Sequence, residues 1–417
     1  MIEEKHVLLY FLIVSLVLML VLFKSVELGL LTVAALCYAL LTFLEEVEVR
    51  AEVSRKVRPV RGTIPLEVEV TTEITYLGRR PVVALVEDAL PPRTRVIRGA
   101  NVAAAELRKG TKVVLSYVLK VENVGAYEIG PVKVYAFRSN SPSLTERIIG
   151  GVGRFIAWPK YDMKMKQLPM YYSKKTSLFG EFPLRKAGYG TEFHSLRQTM
   201  RVRDLKRVNW KATAKFGKIV VNEYVDERTI DTVLIVDYTK ADVELPDGSL
   251  LKDHVATLAS TISYHLVMRG NRIGAIIYER KRSWLRIGYG KRYFKLLTDL
   301  LSSAEPLYSA KQLSYIVSYL LTYISPKRSQ VIVISPMLDE EILSTMHEIV
   351  GRGYSVLVLY PKLYAEEDDV ALRYSALKQQ LISAKVARYC PTFPWDVRHP
   401  VRAVFRRVYA WKRILRA

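Results

Sequence analysis

The stretch GTEFHSLRQTMRVRDLKRVNWKATAKFGKIVVNEYVDERTIDTVLIVDYT, residues 190–239, decides how the chain is read. Its end, TVLIVD (232–237), is an unbroken apolar run closed by an acid. Such a run is expected of a strand buried on both faces. Downstream, residues 249–269 carry Leu250, Val255, Leu258, Ile262 and Leu266 at helical spacing. RIGAIIYE (272–279) predicts the next strand, and SWLRIGY (283–289) a partner that hairpins back on it. Helices are predicted over 291–304, 310–324, 339–350 and 366–383, with strands at QVIVIS (330–335), YSVLVLY (354–360) and AKVARY (384–389). Alternating helices and apolar strands imply a doubly wound, mainly parallel α/β sheet. Ligands of such sheets sit at the carboxyl ends of strands, where Asp237 and Ser335 fall.

Upstream, the period changes. PLEVEVTTEITY (65–76) alternates apolar and polar residues, and VVALVED (82–88), KVVLSYVLKV (112–121) and YEIGPVKVYAF (127–137) follow between Gly and Pro punctuation. This spacing predicts an antiparallel β-sandwich over 47–140, read as a spacer or binding module. Residues 141–230 read as a basic linker, with 17 Lys/Arg against 7 Asp/Glu between 154 and 230. At the other end, VLLYFLIVSLVLMLVLF (7–23) and LGLLTVAALCYALLTFL (28–44) are nearly wholly apolar. Each is about the shortest run that spans a bilayer, so a two-pass transmembrane α-hairpin over 1–46 is expected. Arg50, Arg55, Lys56, Arg58 and Arg61 follow it, against one Lys in the turn. By the positive-inside rule they place both termini and the soluble domains in the cytoplasm.

The 417 residues carry a formal net charge of +22, which favours anionic partners without choosing among them. Two cysteines, Cys37 and Cys390, do not make a disulfide framework. The six histidines show no metal-ligand spacing, and no phosphate-binding G-x-x-x-x-G-K-[ST] loop occurs. A Cys390–His399 dyad is disfavoured, since a cysteine before proline in a loop reads as inert. A nucleic-acid reading needs a recognisable fold or stacking platform, and the sequence displays none. At the C-terminus (391–417), Val401, Val404, Phe405, Val408, Trp411 and Leu415 fall on one face of a basic amphipathic helix, suited either to an anionic surface or to packing on the core.

These segments resemble the domain of unknown function 58 family, whose members join two transmembrane helices, a β-sandwich and a von Willebrand factor A-like domain. Tyr127, Gly130 and Pro131 match the turn that ends the family's sandwich, and FIAWPK (155–160) the short strand before its core motif. Arg197, Arg207, Val208, Trp210, Ala212, Ala214 and Lys215 fit that motif, while Gln198, Thr199, Arg201, Val202 and Arg203 replace its Glu, Tyr, Pro, Gly and Asp. The resemblance implies a von Willebrand factor A-like domain over 231–390. It also implies a metal site built on Asp237, Thr239 and, from a second loop, Ser309. The residues argue against a bound metal. Ala241 and Pro336 stand where ligand oxygens are required. The expectation is therefore no cofactor, Mg²⁺ being the ion an intact loop would take, with Asp237 satisfying loop amides instead. Trp210 reads as a packing anchor, within a docking motif of Arg197, Arg207, Trp210, Lys211 and Lys215. The function expected is a membrane-anchored, non-enzymatic interaction module. Its partner, by resemblance, is a MoxR-type AAA+ ATPase acting in protein-complex assembly or maturation. The alternative is a basic membrane scaffold binding anionic lipid or nucleic acid.

Overall fold

A computed structural model describes residues 49–138, 141–164, 187–199, 205–225, 231–309, 312–324, 326, 329–364 and 369–414, with isolated positions between 14 and 37. The chain divides into two compact units, one built from residues up to 60, 66–121 and 127–155, the other from 61–65, 122–126 and 156 onward.

The first unit is antiparallel. Strands Ala51–Arg58, Leu66–Tyr76, Lys112–Val121 and Thr94–Gly99 form one four-stranded sheet, in that spatial order. Strands Ser141–Ile149, Val132–Arg138, Val82–Asp88 and Val102–Leu107 form a second. Leu66–Tyr76 buries every second residue, as a half-buried strand does. The inward positions are not all apolar. The Arg55 guanidinium and the Asp88 carboxylate form an ion pair with side chains 3% and 0% exposed. Thr72 and Tyr117 hydroxyls donate to Asp88 Oδ2 at 2.7 and 2.8 Å, and Arg55 Nη1 donates to the carbonyls of Ile129 and Gly151. Burial, then the neighbouring carboxylate, push the Tyr117 phenol far above its usual range, so it remains a donor. Gly130 has φ +96°, and a Cβ there would come 2.5 Å from Arg55 Nη1, so this turn needs glycine.

The second unit carries a six-stranded sheet. We label its elements β1 (Asp231–Asp237), α1 (Leu251–Met268), β2 (Arg272–Tyr278), β3 (Ser283–Gly288), α2 (Lys291–Ser303), α3 (Leu313–Leu321), β4 (Ser329–Ile334), α4 (Glu341–Gly351), β5 (Ser355–Lys362), α5 (Val370–Val386), β6 (Thr392–Asp396) and α6 (Arg402–Ile414). The spatial order is β3-β2-β1-β4-β5-β6; all neighbours are parallel except β2 with β3. Val233, Ile235, Val331, Val333, Val356 and Val358 pack with residues of α3, α4 and α5 in one apolar core. Residues of the opposite parity face the other side of the sheet, as the strand's period of two requires. The Asp253 carboxylate satisfies the start of α1, accepting from Leu250 N at 3.0 Å, and also takes Asn123 Nδ2 and Val124 N at 2.9 and 2.8 Å.

Several expectations are overturned. Among the described residues no helix is long and apolar enough to cross a membrane. This overturns the transmembrane α-hairpin expected over 1–46 and, with it, the two-pass cell-membrane placement with cytoplasmic domains; most of 7–44 lies outside the described residues. Three of the five charges counted for its orientation lie in one strand. Arg55, Lys56 and Arg58 belong to strand Ala51–Arg58, and Arg55 is spent on a buried ion pair. The fold class of hairpin, β-sandwich and von Willebrand factor A-like domain does not stand as a whole. What overturns it is the membrane hairpin; the antiparallel strands form two four-stranded sheets, and the helix-bearing sheet is mainly parallel, with β3 antiparallel on β2. AKVARY is not a strand. α5 runs through to Val386, and the edge strand is Thr392–Asp396. That strand contains Pro394, and an edge position tolerates a residue without an N–H. Of the two roles open to the C-terminal helix, α6 shows packing on the core, with Val401, Val404, Phe405 and Val408 buried and Arg402, Arg406 and Arg407 exposed.

Candidate functional site

The strand order reverses between β1 and β4, the two central strands, whose connections leave in opposite directions. The crevice outside their carboxyl ends is where sheets of this kind bind ligands. Asp237 closes β1 and Ser335 follows β4. Ser335 Oγ donates to Asp237 Oδ2 at 2.7 Å and accepts from Met337 N at 3.0 Å. Asp237 Oδ1 accepts from Thr239 N at 2.8 Å. Asp237 is buried. Burial raises its pKa, against the lowering by Thr239 and Ser335, and Asp339 adds a further upward push. The Thr239 hydroxyl is buried and short of a well-formed hydrogen bond, though it faces the carboxylate closely enough to favour its charged form.

The crevice also holds its own cation. Lys240, in left-handed backbone at φ +55°, pairs with Asp339 at 3.1 Å and reaches the Leu338 carbonyl at 3.5 Å. The buried Gln379 amide closes the neighbouring loops. It donates to the carbonyls of Pro336 and Pro361 at 2.8 and 2.9 Å and accepts from Leu363 N at 2.8 Å. Leu307 pairs with Thr239, but Ser309, two residues on, is exposed. Asp237 and Thr239 thus come together with Ser335, an unforeseen partner, whereas Ser309 does not join them. The residues that offer oxygen here are Asp237, Thr239, Ser335 and Asp339. Among the described residues no group of three or more His, Cys, Asp or Glu is arranged to hold a metal ion. Lys240 was the missed residue; its signal was a lysine directly after the first-loop threonine.

A second polar group stands at the start of α1. Ser249 Oγ lies 2.8 Å from His254 Nε2 and donates to Asp247 Oδ1 at 2.6 Å. The serine lies between the acid and the imidazole, whereas nucleophilic activation needs the imidazole in the middle. Burial lowers the His254 pKa, against the carboxylates of Asp253 and Asp247. Cys390 is equally quiet, since burial pushes its thiol up to about 11.

The docking motif is laid out differently. Strand Ala187–Gln198 pairs antiparallel with Val220–Val225, with Arg197 opposite Val221. Between them lie a 3₁₀ turn, Leu205–Arg207, and a short helix, Trp210–Phe216. Asn209 caps that helix by accepting from Ala212 N at 3.0 Å, and Gly217 ends it at φ +64°. The helix buries none of its residues. Trp210 is 66% exposed, so it is not the packing anchor its small-residue surroundings suggested. Lys211 and Lys215 are exposed, as is Arg197. Arg201 and Arg203 lie outside the described residues, as does the Arg207 side chain.

The matched family begins at this segment. Residues 195–363 match the family described as Protein of unknown function DUF58. The DUF58 match thus spans the exposed helix, the Asp237 crevice and β1 to β5. No curated protein matches the chain. Among solved structures, native alpha-2-macroglobulin from Escherichia coli is 15% identical, with a TM-score of 0.23, over 28% of this chain and 18% of that one. A FixG-related protein from Vibrio parahaemolyticus is 11% identical at a TM-score of 0.18, over 26% and 95%. The cupredoxin domain of amoB from Nitrosocaldus yellowstonii is 13% identical at 0.20, over 32% and 98%. Likenesses this slight carry no argument about fold or activity.

Proposed function

We propose that this chain is a non-enzymatic protein-interaction module that partners a MoxR-type AAA+ ATPase in protein-complex assembly or maturation. The partner class comes from the family resemblance alone. The observation that carries the interaction reading is the helix Trp210–Phe216, which leaves its tryptophan, Phe216 and both lysines in solvent. Exposed tryptophan is enriched among the residues that anchor interfaces, and this one shares its helix with two exposed lysines. The crevice at Asp237 supports the same reading from the other direction. Its acid is spent on Ser335 and Thr239, and Lys240 supplies the positive charge.

Crosslinked pull-down with the full chain from its native cells tests the proposal. Recovery of an ATPase at low and moderate salt is expected, and its loss with Trp210→Ala or with Lys211→Glu/Lys215→Glu. Equal recovery by wild type and both variants would remove this surface from the interaction. Recovery of no ATPase would remove the partner.

A further inference from the structure

We propose that the face made by β3 and the outward side of α3 binds single-stranded nucleic acid, with bases stacked on Trp284, Tyr319 and Tyr323 and phosphates lying along the cations of 280–292. The stretch RKRSWLRIGYGKR (280–292) holds six Lys/Arg and no Asp or Glu. Arg280 pairs with Glu305 at 3.5 Å. Among the described residues no carboxylate pairs with Lys281, Arg282, Arg286, Lys291 or Arg292, and all five are exposed.

The aromatic half of the face exists only in three dimensions. α3 turns Leu313, Val317 and Leu321 wholly inward. Its period then puts Tyr315 and Tyr319 outside, and Tyr323 continues the row one turn later, at 73%, 55% and 66% exposure. Trp284, on the edge strand, stacks on Tyr323 with centroids 6.4 Å apart and planes 29° apart. Tyr319 meets Tyr323 edge-on at 5.7 Å, and their hydroxyls are hydrogen-bonded at 3.1 Å. The Arg286 guanidinium stands 5.7 Å from the Trp284 ring.

Three explanations compete for these features. Positive charge on an edge strand discourages edge-to-edge pairing, which accounts for Arg286 and leaves the flanking cations and the rings unexplained. An acidic peptide would likewise use only the cations. A single strand of nucleic acid uses both, because each nucleotide brings one phosphate and one π-face. A duplex would not fit, since its bases are already stacked on one another.

Fluorescence anisotropy of the purified full chain with a labelled oligothymidine of about 15 nucleotides tests this. Saturable binding that weakens steeply with salt is expected. Trp284→Ala and Tyr323→Ala should each lower affinity by about fivefold to a hundredfold. Arg286→Glu, at the cation beside the Trp284 ring, should lower it and flatten the salt dependence. Tyr374→Ala, another exposed tyrosine beside a lysine, should bind as wild type does. All these side chains are exposed, so circular dichroism should show each variant folded. Trp210→Ala should also leave binding unchanged, because the docking helix shares no residue with this face. Absence of saturable binding overturns the proposal. So does binding indifferent to Trp284→Ala and Tyr323→Ala. Competition by polyglutamate as effective as by unlabelled oligonucleotide would make the face an acidic-peptide site and overturn it too.

Discussion

Replacing Asp88 with alanine should cripple the first unit, and its surroundings set the size of the effect. Asp88 is fully buried, and its two oxygens serve Arg55, Thr72 and Tyr117. Removing it leaves the Arg55 guanidinium, 3% exposed, with carbonyl acceptors at Ile129 and Gly151 but no opposing charge. Breaking one side of a buried pair costs about 3–5 kcal/mol. The stranded Tyr117 hydroxyl adds roughly 1–3 kcal/mol if water cannot reach it. A domain stable by about 5–15 kcal/mol would lose a large share of its margin. Arg55→Met should be costly as well, because the carboxylate then remains buried with two hydroxyl donors and no cation. Arg55→Met/Asp88→Leu should be less damaging than the sum of the two single changes, since neither charge is left alone. Urea denaturation read by hydrogen exchange in strands Leu66–Tyr76 and Lys112–Val121 measures this unit separately from the other. An Asp88→Ala variant within about 1 kcal/mol of wild type would refute the reasoning, for such a pair would be behaving as a solvated one. Strict additivity of the two single changes would refute it equally.

Two more outcomes follow from the second unit. His254 is held below the ordinary imidazole pKa of 6.5, by burial first and despite Asp247 and Asp253. The unfolded chain therefore takes up this proton first as pH falls, and the stabilisation by neutral His254 is complete above that value and lost below it. Melting temperature should fall between about pH 7.5 and 5.5, and His254→Gln should flatten the fall; an unchanged slope would show that other groups cause it. At the crevice, titration calorimetry with Mg²⁺, Mn²⁺ and Ca²⁺ should give no heat that depends on Asp237. Binding lost in Asp237→Ala would show that Lys240 yields its place to an ion.

Much of the sheet was legible because apolar runs and helical periods are local properties. TVLIVD, RIGAIIYE, QVIVIS and YSVLVLY announce β1, β2, β4 and β5 by composition, and the 249–269 period announces α1 within two residues of each end. Β-structure over 65–76, 82–88 and 112–121 was equally plain from alternation. Local pattern misled where the fate of a residue depends on something distant. Arg55 looks like any basic residue beyond an apolar segment, until Asp88, 33 positions away, draws it inside. Trp210 looks like core, until the helix it opens is found to bury nothing.

The sequence by itself determined the strand and helix alternation and the excess of positive charge, since each is written in residue type and spacing. Only the tertiary structure decided what those residues face. It set Ser335 against Asp237 and Lys240 against Asp339, and it stacked Trp284 on Tyr323. Pairings of this kind depend on which strand lies beside which, and strand order is fixed by long-range packing that no local pattern records.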